Sequence, residues 1–152
     1  MRVPDRSGLI ALLRAGQTEK AAGYAREIAG LDAAAASETK SSAGDKYETA
    51  REMIAQTRRL MDANLVEAKA GLEALERMAA APAGKVITFG SLVETSQGWF
   101  LLGTSFGEIE YGGITIKTAS LASPIGAALK GKHAGDKLPW RGSLLEIIAL
   151  SA

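Results

Sequence analysis

The stretch DKYETAREMIAQTRRLMDANLVEAKAGLEALERMAA, residues 45–80, decides the fold class, because its apolar residues recur every three or four positions. This period places them on one face of an α-helix, while Glu, Lys and Arg fill 11 of the other 26 positions. An arm of roughly 30 residues would be about 45 Å long at the helical rise. The pattern predicts a long helix that packs through one narrow stripe, formed by Tyr47, Ala50, Ile54, Thr57, Met61, Leu65, Ala68, Leu72, Leu75 and Ala79.

A second, weaker helical stripe lies upstream and runs through Leu9, Leu13, Tyr24, Ile28, Leu31 and Ala35. Gly16 and Gly23 interrupt it, and each costs about 1 kcal/mol relative to Ala in a helix interior. Between the stripes, the small residues 41–44 predict a turn, and Asp45 is placed to cap the second helix. Two such helices joined by a tight turn predict an antiparallel coiled-coil hairpin over residues 1–81, with its tip near 41–44.

The composition changes at Pro82, after which lie six of the eight aromatic residues and 11 of the 17 glycines. The apolar period there becomes two, which is typical of strands. Ser123-Pro124 predicts an N-cap followed by a first-turn proline, and thus a short helix that ends near Gly131. The chain is therefore expected to be α+β, with a helical hairpin and a small sheet domain over residues 82–152. The strands are expected at 86–95, 99–104, 114–118 and 144–150.

The overall composition excludes several classes of chemistry. The 152 residues include no cysteine, so disulfides, thiolate-bound zinc, iron–sulfur clusters and thiol catalysis are excluded. The single histidine, His133, excludes a multi-histidine metal site. A net charge of +1 gives no bulk attraction to nucleic acid or to an anionic membrane. Residues 1–5 lack a signal pattern and no apolar run is long enough for a membrane span, so we expect a cytoplasmic protein without membrane association.

Five motifs and their order along the chain resemble one protein family. VITFGSLV at 86–93 opens the second domain, and SPIGAALKGK at 123–132 precedes GDK at 135–137 and the closing strand LEII at 145–148. DKYETARE at 45–52 begins the second long helix. Together they resemble Gre-type bacterial transcription elongation factors, which combine a coiled coil with a C-terminal FKBP-like domain. The resemblance covers roughly residues 30–150.

The resemblance implies a partner and a mode of action. Gre factors bind bacterial RNA polymerase through the C-terminal domain at the rim of the secondary channel, and the coiled coil enters the channel. Tip carboxylates then help to hold the second Mg²⁺ and to position the water that cuts backtracked RNA at its 3′ end. The factor is thus no enzyme, binds no cofactor or Mg²⁺ outside the complex, and needs no sequence-specific DNA contact. The polymerase-binding residues implied here are Ser123, Pro124, Ile125, Lys130 and Lys132.

The tip departs from the family pattern. The family carries an Asp and a Glu three residues apart, and alignment on Tyr47 places Lys40 and Ala43 at those two positions. Neither residue is a useful metal ligand. One interpretation is that the factor occupies the channel and regulates transcription without stimulating cleavage.

Nearby carboxylates offer the alternative interpretation. Glu38, Asp45 and Glu48 are the candidate tip acids, and a turn centred between residues 41 and 42 would place Glu38 opposite Asp45. These two are the candidate ligands of an Mg²⁺ shared with polymerase. Against this, Asp45 could serve only as a helix cap, with Glu38 and Glu48 in solvent.

Two further residue groups have alternative interpretations. Arg51, Arg58 and Arg59 could form a basic face that meets RNA, or they could pair with carboxylates on a solvated helix. Aromatic residues of the second domain could line a pocket, because FKBP-like domains can be prolyl isomerases, or they could form its core. These aromatic residues are Trp99, Phe100 and Trp140.

Overall fold

The computed structural model describes residues 4–38 and 44–151, except for the side chains of residues 38, 44, 45 and 47. Two long helices pack together and precede a six-stranded mixed sheet with one short helix, which confirms the α+β class. The elements are α1 (Arg6–Glu38), α2 (Gly44–Ala80), β1 (Leu92–Thr95), β2 (Gly98–Gly103), β3 (Glu108–Tyr111), β4 (Ile114–Ser120), α3 (Pro124–Leu129), β5 (Lys137–Trp140) and β6 (Ser143–Ser151).

The chain forms two compact units. The first, called here the sheet unit, combines Met1–Arg14 with Glu73–Ala152, and the second, the hairpin unit, consists of Ala15–Leu72. The sheet unit therefore includes the start of α1 and the end of α2, both of which lie in the predicted hairpin over residues 1–81. Within the described ranges, neither long helix has an apolar stretch that would cross a bilayer.

The strand order in the sheet is β3-β4-β2-β1-β6-β5. Every neighbouring pair is antiparallel except β2 and β4, which run parallel. The register between β1 and β6 shifts between Glu94 and Thr95, which is a β-bulge. The two edges of the sheet are consequently the short strands β3 and β5.

Each face of the sheet carries its own hydrophobic core, because successive side chains of a strand point to opposite faces. On one face, the helix ends contribute Leu9, Ile10, Leu13, Leu75 and Met78, which pack against Leu92, Leu101 and Ile116. On the other face, Leu129 of α3 packs with Ile87, Val93, Phe100, Leu102, Leu138, Leu145 and Ile147. The sheet unit thus has three layers: helix ends, sheet and α3.

The strand predictions are right for β1, β2, β4 and β6, with corrected limits, and they omit β3 and β5. The predicted strand at 86–95 is wrong over its first half: Val86 makes one isolated bridge to His133, and a turn follows. Gly90 breaks the strand, since its φ is 89° and its amide donates to the Leu102 carbonyl at 2.6 Å. Ile87 is buried without belonging to a strand, which explains why the apolar pattern there predicts a strand that is not formed.

Helix α3 confirms the predicted cap. Ser123 has an extended backbone and its Oγ accepts the Gly126 amide at 3.1 Å, while Pro124 occupies the first turn. The amide of Lys130 donates to the Gly126 carbonyl at 2.9 Å and closes the helix after Leu129. The helix is therefore held at both ends by hydrogen bonds that its own sequence supplies.

Arg6 joins the start of α1 to the end of α2. Its Nη1 donates to the carbonyls of Met78, at 2.7 Å, and Gly90, at 3.2 Å, and its Nη2 donates to that of Ala81, at 2.8 Å. The last carbonyls of a helix lack intrahelical partners, so this guanidinium satisfies the end of α2.

Candidate functional site

The predicted tip lies at the limit of what the structure describes. Glu38 is the last residue of α1 and Asp45 the second of α2, but their side chains and residues 39–43 lie outside the described residues. The predicted approach of Glu38 to Asp45 and the capping role of Asp45 both fall there. Glu48 is described and is exposed in the first turns of α2.

Arg58 lies at the centre of an ion-pair network in the hairpin unit. Its Nε is 2.7 Å from Oδ1 of Asp32 on α1, and its Nη1 is 2.8 Å from Oδ2 of Asp62 on α2. The hydrogen bond from Arg58 lowers the pKa of Asp32, and the same bond raises the pKa of Arg58. Its guanidinium is thus engaged between two carboxylates rather than presented alone to a phosphate.

The three arginines do not all lie on one side of α2. Arg51 lies seven positions before Arg58, on nearly the same side of α2, whereas Arg59 is rotated by about 100°. Arg59 Nη2 lies 3.7 Å from Oε1 of Glu52, and both side chains are exposed. The structure therefore distributes the three arginines over two sides of the helix.

Sequence reasoning identified Arg58 but missed its two carboxylate partners. Asp62 could have been found, because its i, i+4 spacing from Arg58 is a familiar helix pair. Asp32 lies 26 residues upstream, and only the register between the helices brings it to Arg58.

Little of the hairpin unit is buried. In its described part only Ala68 and Gly71 are buried, and the large side chains of Met53, Leu60 and Val66 are 57–68% exposed. The seam consists of half-buried residues, so the unit has contacts between its helices but no closed core.

The residues implied as polymerase-binding divide into two groups. Pro124, Lys130 and Lys132 are exposed. Ser123 and Ile125 have structural roles instead: Ser123 caps α3 and its Oγ donates to the Ser120 carbonyl at 2.6 Å, and Ile125 packs against the core beneath α3.

The three aromatic side chains do not gather in one pocket. Trp99 packs against the core under the helix ends, whereas Phe100 and Trp140 belong to the core on the α3 side. This arrangement favours the interpretation of these residues as core over that of a shared ligand pocket.

His133 makes contacts that its sequence context did not predict. It is 57% exposed, its Nδ1 lies 3.6 Å from Oδ2 of Asp136, and its amide donates to the same oxygen at 2.7 Å. Among the described residues there is no cluster of three or more His, Asp or Glu side chains that could hold a metal ion.

Comparison with known proteins identifies no relative: no family model, no curated protein and no solved structure matches this chain. The architecture, a helical region followed by a small mixed sheet, is therefore known from the structure of this chain alone. The candidate site with described geometry consists of the hairpin helices and the exposed residues around α3.

Proposed function

We propose that the chain is a Gre-type factor of the bacterial cytoplasm, which binds RNA polymerase through its sheet unit and places its hairpin unit in the secondary channel. The single observation that carries this proposal is the hairpin unit, two paired helices in which Ala68 and Gly71 alone are buried among the described residues. A pair of helices without a closed core is about 20 Å wide, and burial stabilises it little as an independent domain. Such a unit is suited to insertion into a partner that covers its exposed sides.

The Arg58 network supports the same function. A hairpin that reaches into a channel must keep its helices in register without a wide apolar seam. The contact of Arg58 with Asp32 crosses between the helices, and the contact with Asp62 fixes the guanidinium from within α2. We therefore assign these residues the role of holding the hairpin together, and contact of Arg51 or Arg59 with RNA stays a prediction.

Cleavage stimulation is the finer part of the proposal. Glu38 and Asp45, with Glu48 nearby, would supply oxygen ligands to an Mg²⁺ held mainly by polymerase. The polymerase would remain the cleaving enzyme. A second candidate, a channel occupant without cleavage activity, is favoured by the sequence itself, since Lys40 and Ala43 stand where the family has its acids.

A cleavage assay on stalled, backtracked elongation complexes tests both functions. With the full-length protein, the Gre-type function predicts faster release of short 3′ RNA fragments. The double variant Glu38→Ala/Asp45→Ala should lose this stimulation and keep polymerase binding. The matched control, Glu27→Ala/Glu67→Ala, removes two exposed hairpin carboxylates away from the tip and should behave as the unaltered protein.

Each outcome has a distinct meaning. Unchanged cleavage in the tip variant would remove the tip carboxylates from the mechanism. Absence of stimulation, with competition against a cleavage factor, would establish the channel occupant. Absence of any polymerase binding would overturn the proposal, and a prolyl-isomerase assay on a proline peptide would then decide the alternative for the sheet unit.

A further inference from the structure

Charge is segregated between the two edges of the sheet. Beyond Pro82 the chain has six basic residues, and five of them are Lys85, Lys130, Lys132, Lys137 and Arg141. They lie in or beside the segment that leads into edge strand β5 and its turn. The opposite edge strand, β3, carries Glu108 and Glu110 instead. Opposite edges of the sheet thus present opposite charges.

A cleft lies next to this basic segment. Backbone hydrogen bonds from the Ile87 amide to the Lys132 carbonyl, at 2.9 Å, and from the Gly131 amide to the Ile87 carbonyl, at 2.8 Å, bring Lys85 close to the segment. The resulting cleft has a volume of about 310 Å³ and is called here the Lys85 cleft. It is lined by Gly84, Lys85, His133, Ala134 and Leu150.

The positive charge around the cleft is largely uncompensated. Within residues 4–38 and 44–151, no ion pair involves Lys85, Lys130, Lys132 or Lys137. The acidic neighbours are Asp136, which contacts His133, and Glu146, which lies opposite Lys137 in the strand register. Surface ammonium groups without partners attract an oppositely charged surface and speed its approach.

The cleft combines this charge with apolar surface. Leu150 and Ala134 form part of its lining, and the adjacent Val86 is 42% exposed. The lining contains no Phe, Tyr or Trp, and its one aromatic ring, the imidazole of His133, lies beside the Asp136 carboxylate, so the cleft offers little surface on which a nucleic-acid base would stack. Apolar contact flanked by ammonium groups matches a peptide that carries both carboxylates and an apolar side chain.

We propose that the Lys85 cleft and the lysines around it dock a short acidic peptide segment of a partner protein, with one apolar side chain in the cleft. The proposal rests on the proposed function only where it assigns that segment to RNA polymerase. It places the docking surface on the β5 side of the sheet, and adds Lys85 and Lys137 to the two lysines that the family resemblance implied.

The chemistry of the site is tested first, with isotope-labelled full-length protein and three probes in NMR titrations. The probes are a short peptide of alternating Glu and Leu, the same peptide with Lys for Glu, and a single-stranded RNA of equal charge. The proposal expects the Glu–Leu peptide to shift the amide signals of Val86, Lys132 and His133. No shifts, shifts centred elsewhere, or stronger binding of the RNA or the Lys peptide at these amides would overturn it.

The assignment to polymerase is tested by the affinity of the full-length protein for core enzyme. Lys85→Gln/Lys132→Gln should weaken binding about fivefold to tenfold at low salt, and less at high salt. Lys117→Gln, which removes an exposed charge on β4, is the control and should bind nearly as the unaltered protein. Unchanged binding of the double variant would overturn the docking assignment and leave the proposed function standing. No binding by the unaltered protein would overturn the proposed function, and the peptide titration would still decide the chemistry of the cleft.

Discussion

Arg58 Nε lies 2.7 Å from Oδ1 of Asp32, and this contact joins the two helices of a hairpin in which only Ala68 and Gly71 are buried among the described residues. Elsewhere along the described seam the helices meet through half-buried side chains. Surface ion pairs contribute about 0–1 kcal/mol each, because water screens the charges. Here the apolar interface is narrow, so a contribution of that size favours the register in which Asp32 stands opposite Arg58.

We expect the two contacts of Arg58 to differ in effect. Asp32→Ala should increase hydrogen exchange of α1 amides around residue 32 more than Asp62→Ala does, because Asp32 lies on the other helix and Asp62 lies on the same one. Arg58→Ala should exceed both, since it removes both contacts. Hydrogen exchange followed by mass spectrometry measures the order, and equal effects of the two aspartate variants would contradict it.

The same pair makes hairpin stability depend on pH. Arg58 holds the pKa of Asp32 below its ordinary value of 3.8, so the stabilisation is present above pH 3.8 and is lost as the pH falls through the lowered pKa. Urea unfolding followed by circular dichroism, at pH 7 and in steps below pH 4, compares the protein with Asp32→Asn. The difference in midpoint should shrink on acidification, whereas a constant difference would exclude titration of Asp32 as its source.

Truncation of a leucine should cost much more stability in the helix ends than in the hairpin. Leu75 is fully buried under the sheet, so Leu75→Ala should destabilise the protein by about 2–5 kcal/mol. Leu60 is 57% exposed, so Leu60→Ala should change the stability by at most about 0.5 kcal/mol in aqueous solution. Urea unfolding, followed by the circular dichroism of the helices, measures the change in stability of both variants. A large loss for Leu60→Ala would show that the exposed side of α2 is covered, for example in an oligomer.

Two glycines should give effects of opposite sign. Gly16 lies inside α1 with nothing within 4 Å of an added Cβ, so Gly16→Ala should stabilise the protein by about 0.5–1 kcal/mol. In Gly126→Ala, the new Cβ would collide with the Ser120 carbonyl, and the overpacking should cost about 1–3 kcal/mol or more. Thermal unfolding measures the change in stability of both variants. Stabilisation by Gly126→Ala would contradict the close approach of α3 to the end of β4.

The sequence predicts an element correctly where the pattern is local and strong. The stripe from Ala50 to Ala79 predicts α2, and Ser123-Pro124 predicts α3 together with its cap, because both depend on residues a few positions apart. The edge strands β3 and β5 were missed, since each has four residues and β5 contains Pro139. Such short edges acquire their structure from the neighbouring strand more than from their own residues.

The candidate site was less accessible to sequence reasoning. The tip acids and the exposed lysines are visible as residue types, but which of them approach each other depends on contacts between distant segments. Lys85 comes near the segment that contains Lys132 only through the backbone pairing of residues 86–87 with 131–133. Asp32 meets Arg58 only through the helix register. Neither of these two long-range approaches can be predicted from an apolar period or a residue spacing in a single sequence.

The position of β6 has a consequence for the order in which the molecule assembles on the ribosome. β1, at residues 92–95, pairs on one side with β2 and on the other with residues 147–151 of β6. Leu9, near the beginning of α1, packs in a cluster that includes Ile116. During synthesis, the sheet residues of this cluster are complete only at Ile116, more than 100 residues after Leu9. The nascent helices are the part of the molecule that a chaperone would meet first, and the sheet covers the helix ends late.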